Sequence, residues 1–390
     1  MKTIPEIESF RDELVHYRRD IHAHPELAYQ ETRTAALVAD RLHDWGLDVH
    51  TGMAKTAVIG TLSRGTGPIV GLRADMDALP ILEANEFEYR STIDGTMHAC
   101  GHDGHTAMLL GAARYLAAYP EFSGTIHFIF QPAEEAAGGA KLMIDEGLFE
   151  RFPVDAIFGM HNWPGLAVGK FAMRSGAMMA SLDCFDICIE GKGTHGALPH
   201  HGIDPILASA SVVEAVQSIV SRNVDPLRAA VISVTKIHAG DAHNVIPERA
   251  ELGGGIRCFD PNLRVYLRAR LEEVVTGVAE AMNASASIEY VSTYPAVMND
   301  VAATRLAADV ASDIVGSQCV ETQAEPVLGS EDFSYMLERK PGCYVFIGNG
   351  VDQGGCMIHN PGYDFNDEIL CVGATYWVRL AQSFLSGAMA

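Results

Sequence analysis

The chain has few positive charges, no long apolar run and no dense group of cysteines. It carries 28 lysines and arginines against 50 aspartates and glutamates, so its net charge is −22 over 390 residues. Nucleic acids and anionic membranes attract basic surfaces, and we therefore expect neither as a partner. The longest apolar runs fall short of the roughly 20 residues that a membrane helix needs. The sequence thus excludes a membrane-spanning segment.

Signals for export and for a disulfide framework are also missing. The segment Met1–Glu6 has neither the apolar core nor the cleavage pattern of a secretory signal. Eight cysteines are spread over the whole chain, whereas disulfide-stapled proteins are short and cysteine-rich. These features predict a cytoplasmic protein. The length predicts two or three domains, and an apolar content of 48% predicts ample core.

The stretch from Gly95 to His105 is the most unusual in the chain. It places three histidines, a cysteine and an aspartate within residues 98–105. Thiolate, imidazole and carboxylate groups are the ligands of first-row transition metals. An apolar run over residues 107–113 follows and predicts a buried helix. The alternative is a polar turn with solvated histidines, but the density of histidine and cysteine favours a metal site.

Three successive predicted strands are each followed by acidic or imidazole groups. The strand 68–73 precedes Asp75 and Asp77, the strand 124–130 precedes Glu134 and Glu135, and the strand 155–160 precedes His161. Strands that alternate with helices predict an α/β fold, in which a mainly parallel sheet is flanked by helices. Such sheets carry their sites at the carboxyl ends of the strands. Taken singly, each acidic pair has an alternative role, as a polar turn or as the cap of a following helix.

The pattern changes over residues 181–293, where the predicted elements follow the order β-α-β-β-α-β. This order is typical of the ferredoxin-like arrangement. The earlier alternation of helix and strand then resumes. We therefore predict a discontinuous catalytic domain, 1–180 and 294–390, with a separate domain inserted at 181–293.

The predicted strand ends of the first domain gather many acids and imidazoles around one edge of the sheet. Two metal ions about 3.5–4 Å apart would balance this charge and form a hydrolytic centre. Of two neighbouring carboxylates, one can bind a metal while the other takes a proton from water as general base. The candidate groups are Asp75, Asp77, Cys100, His102, Glu134, Glu135, His161 and His359.

Seven stretches resemble the successive signatures of one known family. They match the co-catalytic dimetal metallopeptidases and aminoacylases, most closely the branch of hippurate hydrolases and auxin–amino-acid conjugate hydrolases. The resemblance extends over essentially the whole chain, and its motifs occur in the family's order. The stretches are 73–80, 98–113, 128–135, 159–165, 191–204, 243–259 and 329–337.

The resemblance implies a role for each candidate. Glu134 would be the general base, and Asp77 would orient a metal ligand. Many other branches carry a histidine ligand at the position of Asp75 and a bridging aspartate, and this chain has neither. Cys100 is the candidate bridge, and the ions would be two divalent cations, zinc or manganese, with cobalt or nickel as further candidates. The implied ligands are Cys100, His102, Glu135, His161 and His359.

In relatives the inserted domain serves as lid and dimerisation surface. The resemblance implies that His195, often supplied by the partner subunit, stabilises the oxyanion. Arg257 offers a fork for a substrate carboxylate, with Asn244 beside it. The alternatives are an ordinary loop histidine for His195 and a structural ion pair for Arg257. The motif 329–333 is expected to cap a helix.

The expected function is metal-dependent hydrolysis of the amide bond of N-acyl or N-aroyl amino acids, with a metal-activated water as nucleophile. The expected partner is the small-molecule substrate, and the expected assembly is a homodimer or a dimer of dimers through the inserted domain. A dipeptidase or carboxypeptidase with the same centre is the alternative enzyme. A non-catalytic zinc-binding scaffold is disfavoured because a scaffold has no need of the base Glu134.

Overall fold

A computed structural model describes residues 1–135, 138–352 and 354–389. Contacts divide the chain into two compact units. The first comprises Met1–Met178, Val297–Pro326 and Asp332–Ala390, and the second comprises Met179–Ala296 and Val327–Glu331. The short segment 327–331 lies in the second unit because the backbone N–H of Ala180 donates to the carbonyls of Val327 and Gly329, at 3.1 and 2.9 Å.

The elements alternate between strand and helix along most of the first unit. The elements of both units are numbered together in chain order. The helices are α1 (Pro5–Glu8), α2 (Arg11–Ala23), α3 (Thr32–Asp44), α4 (His102–Ala118), α5 (Gly139–Asp145), α6 (Leu148–Arg151), α7 (Pro205–Ser218), α8 (Pro261–Ala281), α9 (Val301–Val315), α10 (Ser334–Leu337) and α11 (Leu370–Leu385). The strands are β1 (Asp48–Met53), β2 (Ala57–Arg64), β3 (Ile69–Asp75), β4 (Gly124–Gln131), β5 (Ala156–Pro164), β6 (Phe171–Ala172), β7 (Gly176–Met179), β8 (Ser181–Glu190), β9 (Thr194–His195), β10 (Ala230–Ala239), β11 (Val245–Ile246), β12 (Arg249–Cys258), β13 (Ser285–Tyr294), β14 (Val297–Asn299), β15 (Val320–Glu321) and β16 (Gly342–Gly350).

The described part of the first unit contains a sheet in the order β1-β2-β4-β3-β5-β16-β6-β15. Its central strands β4, β3, β5 and β16 run parallel, which confirms the predicted fold class. The chain passes from β3 to β4 on one side and then returns to β5 on the other side of β3. Open α/β sheets form a crevice at such a reversal, outside the carboxyl ends of the strands. The fold therefore directs the loops after β3, β4 and β5 to one place.

The first unit differs from what the sequence predicts at two places. Apolar residues at three- and four-residue spacing predict a single helix over residues 5–22, but the structure has two helices, because the Ser9 hydroxyl bonds back to the Glu6 carbonyl at 2.6 Å and Phe10 leaves helical geometry. Serine side chains compete with the helical backbone in this way. Strand β1 was not predicted, since its exposed residues lack an apolar alternation. It forms by antiparallel pairing with β2.

The second unit contains a four-stranded antiparallel sheet in the order β10-β12-β8-β13. Helices α7 and α8 contribute apolar residues to a core shared with this sheet. The sequence of these elements is β-α-β-β-α-β, as in ferredoxin-like domains. A role of this unit as lid or dimerisation surface remains a prediction. None of the helices within the described residues has both the length and the apolarity needed to cross a bilayer.

We expect a buried histidine in β4 to make the stability of the fold depend on pH. Burial lowers the pKa of His127 to about 4, against about 6.5 for an unfolded histidine. Below pH 6.5 the unfolded chain therefore binds a proton at His127 that the folded chain does not bind. The free energy of unfolding falls as the pH drops from 6.5 to 4. The loss should approach about 3 kcal/mol at pH 4.

Urea unfolding of the His127→Gln variant at several pH values tests this expectation. The free energy of unfolding should lose part of its slope between pH 4 and 6.5. His43→Gln, at an exposed position in α3, is the control and should keep the slope. An unchanged slope for His127→Gln would contradict the assignment.

Candidate metal centre

Donor groups from four segments of the first unit converge at the carboxyl ends of its parallel strands. His102 is the first residue of α4, His161 lies near the end of β5, and Glu135 follows β4. Cys100 lies two residues before the start of α4, and His359 belongs to the loop after β16. All five predicted ligands are therefore brought together by the fold.

Their ligand atoms form two overlapping groups. The donor atoms of Cys100, His102 and His161 lie within 4.8 Å of one another, and so do those of Cys100, Glu135 and His359. The Cys100 Sγ atom lies 3.3 Å from His161 Nε2, and His359 Nε2 lies 3.2 Å from Glu135 Oε2. Cys100 belongs to both groups, which is the arrangement that a bridging thiolate requires.

Two buried atoms indicate that a cation fits this geometry. His102 Nε2 and Glu135 Oε1 lie 3.8 Å apart, and neither has a hydrogen-bond partner among the described residues. Buried polar atoms without partners are rare and costly. A cation that binds both atoms would satisfy both, so the donor set fits the predicted metal.

The charges around these atoms favour a cation as well. Burial alone would lower the pKa of His102, but the carboxylates of Asp75 and Asp77 raise it to about 10. Burial, followed by the carboxylates of Glu135 and Glu134, raises the pKa of the Cys100 thiol well above its usual value. A thiolate in this place therefore requires a neighbouring positive charge, which a divalent cation supplies.

Asp77 lies where it can orient two donors at once. Its Oδ1 is 3.2 Å from His102 Nδ1, which leaves the Nε2 atom of that ring for a cation. Its Oδ2 accepts a hydrogen bond from the backbone N–H of Glu135 at 3.0 Å. Carboxylates commonly fix ligand histidines in this manner. The orienting role of Asp77 stays a prediction.

Glu134 lies beside the donors rather than within the two groups that share Cys100. Its Oε1 accepts from the backbone N–H of Asp332 at 3.4 Å. Its carboxylate also lies within 4.8 Å of ligand atoms of His102 and Glu135. The adjacent glutamates therefore differ in their surroundings, as the predicted division between base and ligand requires.

The turn that carries Glu134 and Glu135 is held by Glu31, for which no sequence motif predicted a role. Ala133 has a φ of +57°, which is unfavourable for a residue with a side chain. Its N–H donates to Glu31 Oε1 at 2.9 Å, while Glu31 Oε2 accepts from the Thr56 hydroxyl at 2.6 Å. Glu31 lies 102 residues before Ala133 along the chain, so only the structure connects them.

Asp332 is a second buried carboxylate with an unpredicted role. It accepts from Gln131 Nε2 at 2.8 Å and from Arg73 Nη2 at 3.1 Å. It also accepts from the N–H of Ala140 in the first turn of α5 at 2.9 Å. The motif 329–333 was expected to cap a helix, and Asp332 does bond to one that lies almost two hundred residues earlier.

We expect Asp332→Ala to destabilise the fold by about 3–5 kcal/mol, because the Ala140 N–H, the Gln131 amide and one Arg73 donor lose their buried acceptor, although Arg73 keeps Asp75 at 2.6 Å. The control is Asp300→Ala, which removes only the cap of α9, where Asp300 accepts from the Ala303 N–H at 2.9 Å. A cap alone is worth about 1 kcal/mol. Denaturant unfolding measures both variants. Equal losses would show that the Asp332 ion pair adds nothing.

The three predicted substrate-binding residues lie in the second unit. His195 in β9 pairs with Val245 in β11, and the Gly196 N–H donates to the Asn244 carbonyl at 2.8 Å. His195 and Asn244 are exposed. Arg257 Nη1 donates to the Leu328 carbonyl at 2.6 Å. The structure thus brings His195 and Asn244 onto one ribbon, and the roles of all three residues remain predictions.

Comparison with known proteins identifies the family of the chain. The sequence profile of Peptidase family M20/M25/M40 matches residues 71–383. A hippurate hydrolase of Campylobacter jejuni is 42% identical, over 99% of this chain and 100% of that protein. Thermostable carboxypeptidase 2 of Saccharolobus solfataricus is 41% identical, over 97% of each chain.

A solved structure shares both fold and sequence with the chain. It is a Bacillus subtilis protein described as a dinuclear metal binding peptidase of the M20 family, with a TM-score of 0.84 and 36% identity. The match covers 97% of this chain and 99% of that one. The family profile and the near end-to-end relatives lead to one conclusion, which is that the chain belongs to Peptidase family M20/M25/M40.

Proposed function

We propose that this hydrolase cleaves the amide bond of N-acyl or N-aroyl amino acids with the aid of two divalent cations. The observation that carries the proposal is the pair of donor groups that share Cys100, with Glu134 beside them. One cation would be held by Cys100, His102 and His161, and the other by Cys100, Glu135 and His359. The hippurate hydrolase among the relatives supports the substrate class.

The bound cations would polarise the amide carbonyl and lower the pKa of a water molecule. The residues of the chain complete the reaction. Glu134 takes the proton of the attacking water as the new carbon–oxygen bond forms, and it passes that proton to the amine nitrogen as the carbon–nitrogen bond breaks. Asp77 keeps His102 in the orientation that leaves its Nε2 atom free for a cation.

We assign the recognition of the substrate to residues of the second unit. Arg257 would pair with the free carboxylate of the amino acid, because a guanidinium offers two parallel donors. Asn244 would add a donor to the same group, and His195 would donate to the carbonyl oxygen during attack. We also propose a homodimer or dimer of dimers through this unit.

The choice of cation depends on the donor set. A thiolate and imidazoles favour zinc or cobalt, whereas a carboxylate in the same centre accepts manganese. Protein stripped with a chelator should be inactive. Zinc, manganese, cobalt and nickel are then restored one at a time. The activity recovered with each cation identifies the one that the centre prefers.

A substrate panel tests the proposal against a carboxypeptidase, an alternative that the Saccharolobus relative supports. N-benzoyl and N-acetyl amino acids, dipeptides and longer peptides are incubated with the cation-loaded protein. We expect the acylated amino acids to be hydrolysed with the highest kcat/KM. A preference for peptides with a free amino terminus would favour the alternative, and no cleavage of any substrate would contradict both.

A further inference from the structure

We propose that Asn162 is the positioning residue that holds Cys100 and His161 together as ligands of one cation. The inference deepens the proposed dimetal function and rests on it. Asn162 follows His161 in β5 and has no exposed surface. Its carbonyl, N–H, Nδ2 and Oδ1 groups bond to His161, His105, Cys100 and Tyr363, respectively. No sequence motif predicted a role for this asparagine.

The backbone of Asn162 fixes the ring of His161. His161 Nδ1 donates to the Asn162 carbonyl at 2.6 Å. The proton is therefore on Nδ1, and Nε2 presents its lone pair on the side of the Cys100 Sγ atom, 3.3 Å away. A ligand histidine must have this tautomer and this orientation to bind a cation through Nε2.

The backbone N–H of Asn162 fixes a second histidine. It donates to His105 Nε2 at 3.0 Å, so His105 carries its proton on Nδ1 and donates to Asp75 Oδ1 at 2.6 Å. His105 is one turn after His102 on α4 and therefore lies on the same face of that helix. Asn162 thus connects β5 with the helix that begins at a ligand and with the end of β3.

The side chain of Asn162 ties the loop of Cys100 to the same strand. Its Nδ2 donates to the Cys100 carbonyl at 2.7 Å and also lies 3.1 Å from His105 Nε2. Its Oδ1 accepts from the hydroxyl of the buried Tyr363 at 2.6 Å. Both ends of the amide are therefore used, and rotation of the side chain would break all of these bonds.

The loop of Cys100 has no side chain where Asn162 approaches it. Gly101 has a φ of +93°, and a Cβ atom there would lie 2.3 Å from Asn162 Nδ2 and 2.4 Å from Tyr363 Oη. Such distances are not tolerated. The glycine therefore leaves the space that the amide and the hydroxyl occupy, and the three residues form one packed unit beside the thiol.

Loss of the asparagine side chain should therefore weaken cation binding without removing a ligand. Partners that orient metal ligands are typically worth about 10–100-fold in metal affinity. We expect Asn162→Ala to lower, by this factor, the affinity for the cation that Cys100, His102 and His161 would hold. Tyr363→Phe, which removes only the hydroxyl that fixes the amide, should act in the same direction with a smaller effect.

The experiment is a titration of chelator-stripped protein with Co²⁺, followed by the absorption band of the cobalt–thiolate bond. The control is Asn299→Ala. Asn299 is also a buried asparagine, but it bonds to the backbones of Arg174 and Tyr344, which are not proposed metal ligands. Thermal unfolding of each stripped variant reports on the fold separately. A merely structural role would lower the melting temperature and leave the affinity for cobalt unchanged.

We expect the titration midpoint of Asn162→Ala to rise about 10–100-fold and that of Asn299→Ala to remain at the wild-type value. Wild-type affinity in Asn162→Ala, with the thiolate band intact, would overturn the positioning role while the metal centre stands. Absence of the band in wild-type protein would overturn the metal centre itself. If Asn162→Ala does not fold, the affinity of Tyr363→Phe decides the question.

Discussion

Replacement of Glu134 by glutamine is expected to lower turnover by about 10²–10⁴-fold, the range for loss of a general base. The amide keeps the size of the side chain and can still accept from the Asp332 N–H, as the carboxylate does at 3.4 Å. It cannot take a proton from water at neutral pH. The variant should therefore bind its cations normally and hydrolyse N-acyl amino acids slowly. Metal analysis and kcat measured on one preparation test both statements.

The adjacent residue provides the matched comparison. Glu135 lies 3.2 Å from His359 Nε2 and 3.8 Å from His102 Nε2, so Glu135→Gln removes a proposed ligand instead of the base. We expect this variant to lose bound cation as well as activity. The assignment is wrong if the two variants behave alike, or if Glu134→Gln retains wild-type turnover.

Substitution of Cys100 by serine should have the largest effect on metal content. Cys100 belongs to both donor groups, and a hydroxyl is a far weaker ligand than a thiolate at neutral pH. We expect the affinity for both cations to fall by more than the roughly 100-fold that loss of an orienting partner costs. The preference should also move from zinc and cobalt towards manganese, since a soft donor has been removed.

The control for this substitution is Cys343→Ser in β16. Cys343 is fully buried, burial raises the pKa of its thiol to about 12, and its Sγ donates to the Tyr344 carbonyl at 3.7 Å, but it belongs to neither donor group. Its replacement should reduce stability and leave the cations in place. Full metal content in Cys100→Ser would contradict the bridging role proposed for Cys100.

The sequence was sufficient to predict which donor groups the fold brings together because of how parallel sheets are built. Cys100, His102, Glu135 and His161 each follow or begin an element whose end lies at the carboxyl edge of the sheet. Alternation of strand and helix places these ends together, so the residue types alone indicated a common site. His105 carried a usable signal as well, since it is three residues after His102 and directly before the predicted helix, and both residues belong to α4.

The groups that hold those ligands could not be predicted in the same way. Glu31 and Asp332 act through hydrogen bonds to Ala133 and Ala140, which are far from them along the chain. An asparagine next to a histidine in the sequence, such as Asn162, can be a buried hydrogen-bonding residue or a residue of an exposed loop. No sequence pattern distinguishes the two. Long-range polar contacts leave no periodicity in the sequence, whereas apolar faces do.

The most direct test of the whole account is to locate the cations in crystals of zinc- or cobalt-loaded protein by anomalous scattering. We predict two peaks about 3.5–4 Å apart, one beside Cys100, His102 and His161 and the other beside Cys100, Glu135 and His359. A single peak away from Cys100, or no peak in protein that hydrolyses N-acyl amino acids, would contradict the proposed centre.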